Sequence, residues 1–181
     1  MATTLRRGDD CSPNIIIQGD DEFIFTKDLD GISTDCVRGR VGIQNGIHAW
    51  KIYWNAASRD PYSIIGVATK DTPLHSDEVG VLVGGDNCSW GWDVQSTMLY
   101  HNSHPDQGAI YPQFMEHSVR LVVPNEIAML LNMNEGTLSY YVKGCYLGVA
   151  FKGLAGLKLY PIINVTSQHT QVRMEYLGSL P

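Results

Sequence analysis

The sequence predicts an all-β protein, a sandwich or a barrel. Three observations carry this. Gly supplies 18 of the 181 residues and Pro another 8. That Gly share is about a tenth, against a typical ~7%, so the backbone is punctuated too often for long helices. Short apolar or alternating runs recur along the chain, each closed by turn chemistry. In the second half the intervals between runs shrink to hairpin length.

Taken in order, residues 14–17 form a first apolar run, ended by Gln18-Gly19-Asp20-Asp21, and residues 22–26 a second, ended by Lys27-Asp28-Leu29-Asp30-Gly31. Residues 40–43 end at Gln44-Asn45-Gly46, and this Asn-Gly signal feeds the run 47–54. There Ile47, Ala49 and Tyr53 share one parity, while His48, Trp50, Ile52 and Trp54 share the other. Bulk on both faces suits a strand inside a layered fold. Residues 62–69 follow, then a Gly-rich stretch over 79–86. Residues 119–123, 127–133, 137–142 and 146–151 are separated by Pro124-Asn125, Asn134-Glu135-Gly136 and Lys143-Gly144. This half reads as an antiparallel meander, completed by runs 159–165 and 169–177. Only residues 113–117 have helical prospects, and they are too few to form a stable helix. No β-α alternation, linker or internal repeat interrupts the pattern, which amounts to roughly a dozen strands in a single domain.

Composition narrows the function classes. Hydrophobic residues make up 44% and charged residues 18%, enough to build a core. The formal charge of −6 and pI near 5.4 argue against a phosphate-tracking groove, so nucleic acid is not an expected partner. Cys11, Cys36, Cys88 and Cys145 contain no C-x-x-C pair, and scattered thiols are expected as small buried hydrophobes in a reducing compartment. The N-terminus lacks an apolar leader region and no run reaches the ~20 residues of a membrane span. The expected location is cytosolic or nuclear, with no membrane partner. The sequons at Asn87 and Asn164 then read as chance.

Tests for an active site return little. His101, His104 and Asp106 are close in sequence, but no third ligand is set by spacing, and a solvated polar loop is the better reading. Asp20-Asp21-Glu22 and Asp28-Asp30 lack calcium-loop spacing. Phosphate-binding and nucleophile-elbow patterns are missing. Of Tyr140-Tyr141, at most one ring faces solvent. The expectation is no catalytic residue, no metal and no cofactor, but a recognition surface of loops on a β scaffold.

A series of motifs resembles the SPRY domain, more specifically that of the SPRY-and-SOCS-box proteins. It runs from Ser33-Thr34-Asp35-Cys36-Val37-Arg38-Gly39-Arg40-Val41-Gly42 and Gly46-Ile47-His48-Ala49-Trp50 through Gly66-Val67-Ala68-Thr69, Pro73-Leu74-His75-Ser76 and Leu82-Val83-Gly84. It is densest at Ser89-Trp90-Gly91-Trp92-Asp93, Leu99-Tyr100-His101-Asn102, Gly136-Thr137-Leu138-Ser139 and Leu147-Gly148-Val149-Ala150-Phe151. Leu159-Tyr160-Pro161 and Arg173-Met174-Glu175-Tyr176-Leu177 close it. The resemblance covers roughly residues 10–178 and implies a single SPRY domain over 1–181, with an N-terminal segment 1–12 and a core of about 13–178. It implies the family's fold, a two-sheet antiparallel β-sandwich of the concanavalin-like jelly-roll kind, which closes the choice between sandwich and barrel. Read physically, Trp50, Trp90 and Trp92 are core pillars, and His48 and Asp93 satisfied polar groups beside them.

The resemblance also implies a function: substrate receptor of a cullin–RING ubiquitin ligase, in which SPRY loops capture a short Asn-rich peptide and a SOCS box recruits the elongin and cullin machinery. The implied pocket loops are residues 10–13, 58–61, 77–81 and 166–168. The residues that bear on peptide binding are Cys11, Pro13, Arg59, Asp60, Val79, Gly80, Thr166, Ser167 and Gln168. Cys11 stands where the family has Arg, Val79 where it has Tyr, and Ser167-Gln168 where it has Trp-Gly. Losing the Arg fork and both aromatics removes the family's anchors, so a peptide other than the Asn-rich motif is expected. Arg59 could lend charge from a neighbouring loop, although a solvated arginine is the plainer reading. The chain ends where the sandwich should end, without SOCS-box helices, so ligase adaptors are expected only if a SOCS or F-box lies outside it. A monomer is expected. The alternatives are a SPRY scaffold without a ligase link and a glycan-binding, lectin-like module. Glycan hydrolysis would require carboxylates paired ~5–9.5 Å apart across a cleft.

Overall fold

The computed structural model describes residues 10–17, 24–27, 31–103, 108–113 and 121–180. The acidic turns at 20–22 and 28–30, His104, Asp106, all but the first residue of the helical candidate 113–117, and residues 119–120 lie outside them. Among the described residues fourteen strands form two seven-stranded sheets, antiparallel at every pairing. They are β1 (Ile15–Ile17), β2 (Ile24–Lys27), β3 (Thr34–Arg38), β4 (Ile47–Trp54), β5 (Ile64–Ala68), β6 (His75–Ser76), β7 (Ser89–Asp93), β8 (Met98–Tyr100), β9 (Ala109–Ile110), β10 (Glu126–Asn132), β11 (Thr137–Val142), β12 (Cys145–Phe151), β13 (Tyr160–Val165) and β14 (Thr170–Leu180). The first sheet runs β1-β2-β14-β4-β10-β11-β12 and the second β6-β3-β13-β5-β7-β8-β9. The predicted sandwich is the observed one.

Strand parity decides what each sheet buries. Trp50, Ile52 and Trp54 on β4 and Ile127, Met129 and Leu131 on β10 meet Ile65, Val67, Trp92, Ile163 and Val165 of the second sheet in the main core. The opposite parity on the second sheet is buried too. Cys36, Ile64, Ala68 and Ile162 form a smaller cluster with Val83 and Tyr100, against which Leu74, Val81 and Leu82 pack. The Gly-rich stretch therefore roofs the outer face of the second sheet, which is why β3, β5, β7 and β13 are buried throughout. Asn164 pins that roof: its Oδ1 accepts from the amides of Leu82 at 3.1 Å and Val83 at 3.3 Å, and its Nδ2 donates to Tyr62 O at 2.8 Å. With no exposed surface, Asn164 is a structural amide and no glycosylation acceptor in the folded chain. Beneath the roof Gly66 faces Gly91 across β5 and β7, where a Cβ on Gly66 would lie 1.9 Å from Trp90 O.

The sequence reading differs from the structure in five places. Residues 40–43 make only the isolated bridge Ile43↔Leu159, and residues 121–123 form no strand. The meander holds for β10-β11-β12, but β13 and β14 lie in opposite sheets, because the connection 166–169 crosses the sandwich edge. β3 and β7 carry Asp35, Arg38, Ser89 and Asp93, polar residues that conceal their burial from hydrophobic patterning. Of the four thiols, none in a disulfide, only Cys36 is buried; Cys145 is exposed at the Lys143-Gly144 hairpin.

The aromatic residues behave as expected. Trp50 and Trp92 are fully buried and Trp90 nearly so. Trp92 lies 5.0 Å from the Tyr140 ring, whose hydroxyl donates to Ile65 O at 2.7 Å, while Tyr141 lies tilted against Tyr146, ring centroids 5.1 Å apart. His48 is hydrogen-bonded at both ring nitrogens, to Tyr176 Oη and Asn45 O. Asp93 accepts from the amides of Tyr62, Gln95 and Ser96 and from the Ser96 hydroxyl. Among the described residues no helix is long and apolar enough to cross a membrane.

Candidate functional site

At one end of the sandwich three of the four predicted loops converge. They join residues 31–34, a segment the loop reading did not include. Thr166 Oγ1 donates to Pro61 O at 2.7 Å, and the Asp60 amide donates to Ser167 Oγ at 3.0 Å, tying 166–168 to 58–61. Gln168 Nε2 reaches Gly31 O at 3.2 Å. Thr34 Oγ1 donates to Glu78 O at 2.7 Å and accepts from the Gly80 amide at 2.8 Å, fastening 77–81 to β3. Side-chain-to-backbone bonds of this kind hold loops that have no ladder of their own.

The result is an open concavity of about 420 Å³ lined by Gly31, Ile32, Asp60, Val79, Thr166, Gln168 and His169. A smaller depression of about 200 Å³, with Thr34, Ser76, Glu78 and Gly80 in its wall, shares Val79 with it. Ile32 is 76% and Val79 47% exposed, unusual for branched aliphatic side chains. Of the predicted residues, Asp60, Val79, Thr166 and Gln168 therefore line one surface and Gly80 its neighbour. Ser167, nearly buried, supports the Asp60 backbone from behind.

Arg59, Cys11 and Pro13 stand apart. Arg59 is 5% exposed, not solvated: its guanidinium turns inward and donates to Trp54 O, Val123 O and Pro124 O at 2.6–2.8 Å. Burial lowers its pKa to about 10. It staples the 58–61 loop to the 121–125 segment and leaves no charge for a ligand. Cys11 bridges Val37 on β3, and Pro13 is exposed beside it; neither lines the concavity.

Beneath the loops lies a polar cluster that sequence reasoning did not find. Asp35 and Lys27 are both fully buried, with Lys27 Nζ 3.0 Å from Asp35 Oδ2. Lys27 also donates to Ser33 O at 2.8 Å and Thr166 O at 3.1 Å, so one ammonium ties β2 to the start of β3 and to the 166–168 loop. Asp35 further accepts from Ser12 Oγ at 2.6 Å, Asn14 Nδ2 at 3.0 Å, Ser33 Oγ at 2.6 Å and His75 Nδ1 at 2.9 Å. Burial alone would raise the Asp35 pKa, but the bonds from Ser12, Ser33, His75 and Lys27 outweigh it and bring it down to about 2. Through Ser12 and Asn14 the N-terminal segment is held to the same cluster that supports the loops. Lys27 had read as a turn residue, since lysine is rarely buried; its carbonyl partners lie 6 and 139 residues away, beyond any local pattern.

Among the described residues the buried carboxylates, Asp35 and Asp93, are both turned to internal donors, so they do not form a pair across a cleft. Among the described residues no cluster of three or more His, Cys, Asp or Glu could hold a metal ion. His101, the described member of the metal candidate, stacks on Trp90 at 4.6 Å and bonds Ser89 O through Nδ1.

Comparison with known proteins agrees with this architecture. The family model described as "SPRY domain" matches residues 47–178. The chain is 42% identical over 172 residues to Protein gustavus of Drosophila melanogaster, covering 95% of this chain and 62% of that one. It is likewise 42% identical over 171 residues to the human SPRY domain-containing SOCS box protein 1, covering 94% and 63% respectively. The chain thus spans a little over three-fifths of these relatives' length. Among solved structures, the SPRY domain of human HERC1 superposes with a TM-score of 0.65 at 18% identity, over 94% of this chain and 99% of that one, a likeness of fold.

Proposed function

The chain belongs to the SPRY domain family, and from that membership we propose that it is a non-enzymatic interaction module that captures a short linear peptide of a target protein at the concavity lined by Ile32, Asp60, Val79, Thr166 and Gln168. The observation that carries this reading is the convergence of 31–34, 58–61, 77–81 and 166–168 on one surface with two exposed aliphatic side chains. A rigid, concave, partly apolar surface with a few fixed polar groups is the ordinary form of a peptide site. The fold by itself would not imply it.

In this reading the chain is one SPRY unit over 1–181, monomeric, working in the cytosol or nucleus. Its relatives named for a SOCS box support a role as the target-selecting part of a ubiquitin ligase, with adaptors recruited by a box in the full-length protein. Val79 and Ser167-Gln168 offer neither aromatic nor guanidinium anchors, so the favoured peptide differs from the family's Asn-rich motif.

The test is selection from a displayed library of random short peptides, with the wild-type domain beside the triple variant V79A/S167A/Q168A. Selected peptides should bind the variant about tenfold or more weakly, consistent with losing contacts at a small hot region. Equal binding would move the site elsewhere, and tight capture of an Asn-rich peptide would refute the altered specificity.

A further inference from the structure

His75 lies between two carboxylates. Its Nδ1 is 2.9 Å from Asp35 Oδ1 and its Nε2 3.0 Å from Asp77 Oδ1. An ionised carboxylate only accepts hydrogen bonds, and a neutral imidazole has one N–H, so both bonds exist together only in the imidazolium. Asp35 is fully buried, whereas the Asp77 side chain is 98% exposed. We propose that His75 is a pH-responsive positioning residue: as the imidazolium it holds the Asp77–Val81 loop to the sandwich, and on losing a proton it keeps Asp35 and lets Asp77 go.

The asymmetry follows from burial. A neutral ring keeps its single N–H on the desolvated carboxylate, and its other lone pair then faces Asp77, which turns to water. The loop retains its tethers to Thr34, at Glu78 O and at the Gly80 amide and carbonyl, but loses the one through Asp77. Among the described residues the charged groups facing the ring are Asp35 from β3, Lys27 from β2 through Asp35, and Asp77 from the loop. Ser12 Oγ, 3.5 Å from Nδ1, and Asn14 are neutral, and Glu78 is exposed to solvent. Asp35 stays ionised throughout, since its pKa is about 2. The bonds to Asp35 and Asp77 raise the His75 pKa above its ordinary 6.5, against a smaller opposing effect of burial. The clamp is therefore complete below about pH 6.5 and is lost as pH rises through the folded-state value.

Because Val79 lines the concavity, the device regulates the proposed peptide site, and that consequence rests on the peptide-binding reading. The clamp itself is tested without a ligand, so the two fail separately. Nitrogen-15 NMR of the ring and of the 77–81 amides is followed from pH 5 to 9 in the wild type, D77N and H75Q. In the wild type both ring nitrogens should be protonated at low pH, with a midpoint above 6.5, and the Gly80 and Val81 amides should shift at the same midpoint. D77N should lower the midpoint and uncouple the amides. H75Q should abolish the transition and speed pH-corrected Gly80 exchange about fivefold, the weight of one surface charge-assisted bond. A wild-type midpoint at or below 6.5, or loop amides that do not follow the ring, overturns the proposal.

Discussion

Replacing Lys27 with Met would remove one charge from a fully dry cluster while keeping most of the side-chain volume. The ammonium donates to Ser33 O and Thr166 O and pairs with Asp35 Oδ2 at 3.0 Å, with neither side chain of the pair exposed. An exposed pair of this kind is worth about 0–1 kcal/mol. Removing one partner of a buried pair leaves an uncompensated charge and costs about 3–5 kcal/mol. Here two carbonyls are orphaned as well, so the upper half of that range is expected. For a chain of this size each kcal/mol shifts Tm by roughly 2–4 °C, so K27M should melt roughly 8–20 °C below the wild type. Urea denaturation followed by circular dichroism measures the loss directly. The double variant K27M/D35N should recover part of it, because the neutral amide no longer needs a counter-charge. A K27M loss below about 1 kcal/mol, or additive effects in the double variant, would refute the account of Asp35 and Lys27 as a coupled buried pair. Acid adds an independent reading. Asp35 falls from an ordinary 3.8 to about 2 on folding. At ~1.4 kcal/mol per pH unit this difference contributes about 2 kcal/mol, present above pH 3.8 and lost as pH falls toward 2. D35N should lack that acid-sensitive component.

Two further substitutions test the roofed sheet. G66A places a methyl 1.9 Å from Trp90 O and 2.7 Å from the Gly91 Cα, so β5 and β7 cannot keep their register, and the variant should be recovered as insoluble or unfolded protein. N164A orphans the Leu82 and Val83 amides and Tyr62 O at a fully buried position, costing about 2–4 kcal/mol in urea denaturation. It should also deprotect the amides of the roof in hydrogen exchange before the rest of the domain. Uniform deprotection would argue that the roof folds as one unit with the sheets.

Much of the architecture could be read from local pattern. Alternation in 47–54 assigned Trp50, Ile52 and Trp54 to one face, and all three are buried. Asn134-Glu135-Gly136 and Lys143-Gly144 announced the β10-β11 and β11-β12 hairpins because hairpin turns are local. The motif series pointed to the family and to the loops that meet at the concavity. Arg59 was misread because solvation is the rule for arginine, and only the carbonyls of Trp54, Val123 and Pro124, gathered from two segments, make burial tolerable. β3 and β7 were missed because their buried polar side chains break the apolar alternation that marks a strand.

By itself the sequence determined an all-β sandwich, its hairpins, its main core face and its family. The all-β class, the hairpins and the core face rest on a period of two residues and on turns of two or three, properties that a short window contains, while the sandwich and the family rest on the ordered motif series. The tertiary structure decided that residues 77–86 roof the second sheet, that Lys27 and Asp35 meet in a dry interior, and that His75 holds two carboxylates at once. It also drew Ile32 to the site and turned Arg59 away from it. Each of these depends on which distant segments pack together. A charged or polar side chain takes its role from the partners that replace water, and Lys27 finds one of them 139 residues along the chain.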